Sequence, residues 1–194
     1  MNSPAHTIVN LALLGRNVPQ RYVSPIVIGS FIPDLPIFLF YLFEKLVSGS
    51  TEKEIWSESY FHPLWQNFFD LFNSIPLIFL GLLAAWWKKA GAFRYLFASM
   101  LVHVFCDMPL HNDDAHRHFF PLSDWKFESP FSYWDPDHFG SVLAPLEVLA
   151  VAACSAVILR RYPSRAARLA FSVAALIYVA YFAFALVFWA ELLP

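Results

Sequence analysis

Charge is the scarcest component of this chain. Of its 194 residues, 14% are Asp, Glu, Lys or Arg against 58% hydrophobic, and a soluble domain of that length needs more polar surface. The formal net charge of −2 leaves no basic field, so nucleic acid is not expected as a partner. Cysteine is nearly missing as well. Cys106 and Cys154 are the only two; both fall in apolar runs and read as buried thiols rather than a disulfide framework. No serine-nucleophile motif, Gly-rich phosphate loop or Cys-x-x-Cys pair occurs, which removes three large enzyme classes. No basic stretch precedes the first apolar run, MNSPAHTIVNLALLGRN, which is expected to be retained rather than cleaved as a signal peptide. Internal repeats and low-complexity tracts are also missing.

What is plentiful is apolar. Mean hydropathy is +0.50, and the seven Trp, eight Tyr and twenty-one Phe suit rings placed at bilayer interfaces, although a large soluble aromatic core would use them too. Residues 4–14 form a short helical segment, with Ser3 placed as its N-cap, Pro4 first in the helix and Gly15 closing it. It is too short to cross a hydrocarbon core of ~30 Å. Residues 25–47 are long enough, but Pro33, Asp34 and Pro36 interrupt the helix, so a broken element with Asp34 at the break is expected. Further apolar spans are expected at about 69–87, 93–110, 141–159 and 169–193. Residues 48–66 read as a loop or interfacial helix. Residues 111–140 read as a polar, aromatic loop: an interfacial lid, or a surface loop with aromatic anchors.

These readings give an all-α fold, a polytopic membrane helical bundle with broken N-terminal helices and an extramembrane loop, in one domain over 1–194. Lys88, Lys89 and Arg94 flank one turn, and Arg160, Arg161, Arg165 and Arg168 crowd another; both belong on the cytoplasmic side. If 25–47 crosses once, about five crossings place the N-terminus inside and residues 48–66 and 111–140 outside. A re-entrant 25–47 would change the N-terminal half and leave both basic turns inside. The expected location is the inner (plasma) membrane, with the lipid bilayer as partner.

The few ionisable groups are concentrated. Residues 95–110, YLFASMLVHVFCDMPL, are followed at once by HNDDAHRH. His103 and Asp107 are four apart, hence on one helix face and one turn from each other, ~6 Å along the axis. An Asp at membrane depth costs at least ~2.5 kcal/mol, and an imidazole beside a carboxylate is a pairing that a Zn²⁺-type cation offsets well. A structural His–carboxylate hydrogen bond is the plainer reading. Asp34 in the helix break is placed to bind a cation or to cap a helix. His6 is a ligand or an ordinary surface residue. His111, Asp113, Asp114, His116 and His118 form a dense set that a solvated loop would also explain. His62 and Asp70, from the other outer segment, are placed to converge with them; His138 and Glu147 are weaker candidates.

With His6, Pro33-Asp34 and His103-x₃-Asp107 in place, the chain resembles the family of small inner-membrane-bound metal-dependent hydrolases, whose active-site plan is similar to that of zinc-dependent phospholipase C. That family takes metal ligands from an early His, a Gly-x-x-x-Pro-Asp segment, a His in the second loop and a His-x₃-Asp helix. Here these correspond to His6-Thr7, Gly29 to Asp34, and His103 to Asp107, in the same order over roughly the first two-thirds of the chain. Two departures stand out. Pro36 replaces the family's second Asp. The His-Arg-Gly-x-Thr-His-Ser-like stretch corresponds to residues 68–74, with Asn73 in the final His position, or is replaced by His62 from upstream.

The resemblance implies a membrane-embedded metal-dependent hydrolase, with a divalent metal, most readily Zn, held by His6, Asp34, His62, His103, Asp107 and His111. Asp113 or Asp114 would serve as general base, with Asp70, Asn73, His116, His118 and His138 behind the ligands. The substrate expected is an ester or phosphodiester of a lipid or other membrane-associated molecule, and the resemblance favours a lipid phosphodiester. The alternative is a non-enzymatic carrier or sensor of divalent cations or protons using the same residues.

Overall fold

The computed structural model describes residues 1–161, 176, 178–180 and 183. The described residues form eight α-helices and several short helical turns, with no strand and with a largely irregular segment over 111–135. Helix α1 (Ser3–Leu14) starts one residue earlier than expected. Asn2 occupies the N-cap position without a side-chain cap, Pro4 falls in the first turn, and Gly15 closes the helix through its N–H to the Leu11 carbonyl. The Ser3 hydroxyl is committed to Asp34 instead. The Asn2 amide goes to Glu147 at 3.0 Å, whose same oxygen accepts from the Tyr178 hydroxyl at 2.7 Å. Glu147 thus anchors the start of α1.

The segment expected to break does so. Helix α2 (Val23–Phe31) and helix α3 (Leu35–Phe43) are bent by 52° at residues 32–34 when each is taken with its flanking turns. Proline at 33 and 36 removes two backbone donors there. A π-helical turn over Glu44–Ser48 ends in Gly49, whose φ of +72° is left-handed and costs least at glycine. Residues 48–66 contain helix α4 (Glu52–Ser57), started by a Thr51–Glu54 capping box. Helix α5 (Pro63–Asn73) follows, then helix α6 (Ile75–Trp87). Ser74 sits between them, its hydroxyl accepting from the Leu77 N–H. Helix α7 (Gly91–Asp107) stops short of the expected 110, and Met108–Leu110 tighten into a 3₁₀ turn carrying Pro109. Helix α8 (Gly140–Arg161) matches the expected fourth span closely. The span expected over 169–193 lies almost wholly outside the described residues.

Two helical stretches are long and apolar enough to cross a membrane, Pro63–Trp87 and Gly140–Arg161, and the bent pair makes a third if taken as one. With 17 residues, α7 rises ~26 Å, just short of a full hydrocarbon core.

Helix α7 is the central element, packed on α2, α6 and α1, and α1 also packs on α8. Gly29 of α2 makes the α2–α7 contact possible: a Cβ there would lie 2.3 Å from the Leu96 carbonyl oxygen and 2.9 Å from the Ser99 Cβ. Ser99 donates to the Ile26 carbonyl at 2.6 Å, and Asn10 of α1 donates to both Ser99 oxygens at 2.8 Å. One apolar cluster joins Ile8, Leu11, Ile26 and Val151; a second joins Ile78, Met100 and Val104; a third stacks Phe40, Ile55, Tyr60 and Phe69. Polar groups are buried while Leu39, Leu42, Leu80, Leu83, Leu146 and Leu149 face outward.

Candidate metal centre

Two helices and the α2–α3 break deliver the first group. His6 lies on α1, Asp34 in the break, and His103 and Asp107 one turn apart on α7. Single donor atoms of His6, His103 and Asp107 lie within 4.8 Å of one another, all three residues being buried. His6 Nε2 is 2.9 Å from Asp107 Oδ1, and His103 Nε2 is 3.2 Å from Asp107 Oδ2 and 3.3 Å from Asp34 Oδ1. Donors bound at 2.0–2.2 Å to a tetrahedral cation are separated by ~3.3–3.5 Å, so the spacing suits one. Burial holds the His6 pKa below its ordinary value despite the pull of Asp107, which keeps the ring neutral and able to bind metal.

The orientation of His103 is decisive. Its Nδ1 lies 2.8 Å from the Ser30 carbonyl, and a carbonyl only accepts, so Nδ1 carries the hydrogen. Nε2 of a neutral ring then presents a lone pair to two carboxylate oxygens. A metal ion in that gap, or a proton on Nε2, removes the repulsion. The Ser3 hydroxyl donates to Asp34 Oδ2, and the α-amino group of Met1 lies 2.5 Å from Asp107 Oδ1. Asn73 braces the same corner: its amide donates to the carbonyls of Pro33 at 3.2 Å and Phe69 at 3.1 Å. In this structure Asn73 supports the break that carries Asp34.

A second group follows at the end of α7. His111 Nδ1 is 2.7 Å from Asp114 Oδ2, and its Nε2 is 3.7 Å from Asp107 Oδ1. Although burial opposes it, the two carboxylates raise the His111 pKa to about 9. The Trp134 indole N–H also donates to Asp114 Oδ2 at 3.1 Å. Against its own burial, the His111 hydrogen bond lowers the Asp114 pKa. Asp70 of α5, wholly buried, receives the Arg117 Nε at 2.5 Å and the Arg117 backbone N–H at 3.0 Å. His116 Nδ1 stands 3.3 Å from Asp70 Oδ1. His118 is buried with neither ring nitrogen hydrogen-bonded; burial, then the nearby His116 and His111, lowers its pKa to about 4.

The structure leaves three expected residues outside these groups. His62 is exposed and accepts the Leu64 N–H at 3.3 Å, capping α5. Asp113 is exposed on its turn. His138 pairs with Asp135 at 2.6 Å within its own loop. Sequence reasoning missed Ser3, the Ser30 carbonyl, Arg117 and Trp134. Ser3 looked like a cap, a backbone carbonyl has no sequence signature, and Arg117 was one charge among many in HNDDAHRH.

No protein-family model, no curated protein and no solved structure matches the chain, so a functional reading rests on this geometry.

Proposed function

We propose that the protein is a membrane-embedded, metal-dependent hydrolase acting on an ester or phosphodiester of a lipid or other membrane-associated substrate. The observation that carries the reading is His103 Nε2 facing both Asp34 and Asp107 while Nδ1 is committed to the Ser30 carbonyl. His6, His103 and Asp107, joined by Asp34, would hold the cation, with Zn²⁺ the best match to two imidazoles and carboxylates. Such an ion supplies Lewis acidity to a water and to the scissile oxygen. The chain's own part is orientation and proton handling. Ser3 steadies Asp34, Ser30 sets the His103 tautomer, and the Asp114–His111 pair holds a proton beside Asp107.

The same polar column argues for a pocket rather than a route. Among the described residues it ends, one turn below His6 and His103, in the Asn10–Ser99 pair, and the next turn brings Leu14 and Leu96, both apolar packing residues. A cation or proton carrier needs polar groups continuing to the far side. Placement in the inner membrane with 111–140 outside follows from the basic turns at 88–94 and 160–168, and puts the site near the headgroups.

The test is metal content together with turnover of phosphodiester, phosphomonoester and carboxylic-ester lipids by the purified chain in liposomes. Wild type is expected to hold metal and hydrolyse one class, and Asp107→Ala to lose the ion of this centre together with turnover. Stoichiometric metal with no turnover of any class would favour the carrier or sensor. A chain that binds no metal would end the reading.

A further inference from the structure

We propose that His116 and His118, with Asp70 adjacent to His116, form a second divalent-cation site beside the first. This goes beyond the centre at His103, because none of these residues shares an atom with that ligand set.

His118 carries the argument. It is 2% exposed, and both ring nitrogens are buried without a hydrogen-bond partner. A neutral imidazole has one donor and one acceptor, and buried polar atoms of folded proteins nearly always find a partner. The ring is not there by default of a loose loop. The His118 carbonyl accepts the Ile75 N–H at 2.8 Å, its N–H reaches the His116 carbonyl at 3.1 Å, and the Ser74 hydroxyl holds the Phe120 carbonyl at 2.5 Å. The backbone is pinned to the α5–α6 junction at His118 and Phe120, while the His118 side chain is left without a partner.

His116 supplies the second imidazole. It is 4% exposed, and the Asp70 carboxylate stands behind its Nδ1 at 3.3 Å. The two are not aligned as a hydrogen bond, so Nδ1 of His116 is a further buried imidazole nitrogen without a partner. Asp70 is itself fixed by the Arg117 backbone and guanidinium. The His116 and His118 ring centroids are 6.2 Å apart at 85°, about 1 Å wider than two imidazoles on one tetrahedral cation with Zn–N bonds of ~2.0–2.1 Å, a gap that side-chain rotation closes. The His111 ring lies 5.9 Å from that of His116, and its Nε2 lies 3.7 Å from Asp107 Oδ1. The second site is thus next to the first, with His111 between them. Imidazole-rich donors select Zn²⁺-type rather than Ca²⁺- or Mg²⁺-type ions.

Titration of the metal-free, full-length chain in detergent with Co²⁺, followed by its visible spectrum and by elemental analysis, tests this. Wild type is expected to saturate at two equivalents, and His118→Gln and His103→Gln at one each. A single equivalent lost in H118Q but kept in H103Q would sustain this site and sink the first. Saturation that is the same in wild type and H118Q, at one equivalent or two, overturns the proposal, and a wild type that binds none overturns both. Should H118Q not keep its helical circular dichroism, His116→Gln carries the same expectation and the same refutation.

Discussion

At the scale of single residues, the polar interior works because each side chain has one job. Ser3 would ordinarily cap α1, and the local rule that assigns it there is sound. In the folded chain Asp34 sits within reach, and a hydroxyl on a half-buried carboxylate is worth more than a cap exchangeable with water. Replacing Ser3 with Ala is therefore expected to weaken metal binding by ~10–100-fold, the usual cost of losing an outer hydrogen bond to a ligand. Helix content should hardly change. Isothermal titration with Zn²⁺ measures the first and circular dichroism the second; unchanged affinity would mean that Asp34 is not a ligand.

Two histidines make the metal-free protein sensitive to pH in opposite directions. The folded His111 pKa of about 9 lies above the ordinary 6.5. Its contribution to stability is complete below pH 6.5 and is lost as pH rises through about 9. For His118 the folded value of about 4 lies below 6.5, so the unfolded chain takes the proton more readily and stability falls as pH drops from 6.5 towards 4. Maximal stability is expected near pH 6.5. Melting temperatures in detergent across pH 4.5–9.5 check this, and H118Q should flatten the acid limb between about pH 6.5 and 5. An equally steep limb in H118Q would show that another group titrates there.

At the scale of elements, the α2–α7 contact sets the geometry of the first centre. Gly29 lets α2 approach until the Ser30 carbonyl meets His103 Nδ1. Gly29→Ala puts a methyl 2.3 Å from a backbone oxygen, which no side-chain rotation relieves. The expected cost is ~1–3 kcal/mol from overpacking, with metal affinity falling as Ser30 moves off His103. Thermal unfolding and metal titration of G29A measure both; loss of neither would mean that the helices slide apart freely. Much of this level was legible beforehand. The break at Pro33-Asp34 follows from two missing backbone donors, and the shared face of His103 and Asp107 follows from helical period. Gly29 as a contact residue was not, because only the facing helix makes its missing side chain matter.

At the scale of the whole molecule, polar groups are inside and many apolar side chains are outside, the distribution expected where lipid replaces water as solvent. The sidedness proposed above has its own test. In a background with Cys106 and Cys154 replaced by Ala, Ser123→Cys, on an exposed loop position, should react with an impermeant maleimide from outside, and Ser164→Cys should not. The reverse pattern would invert the orientation.

The amino-acid sequence alone determined the helical class, the scarcity of water-facing surface, the position of the break and the pairing of His103 with Asp107. Each is a local matter of spacing, proline placement or composition, and tertiary packing does not reverse it. Only the tertiary structure decided which of the many His and Asp residues meet. Nothing in HNDDAHRH distinguishes Asp113 from Asp114 until His111 and Trp134 close on one of them. Nothing separates His62 from Asp70 until the turn before α5 points one outward and the helix buries the other. Side chains far apart in sequence are brought together by the packing of helices whose faces are apolar. The chemistry at their meeting point is therefore decided by the angles and offsets of that packing.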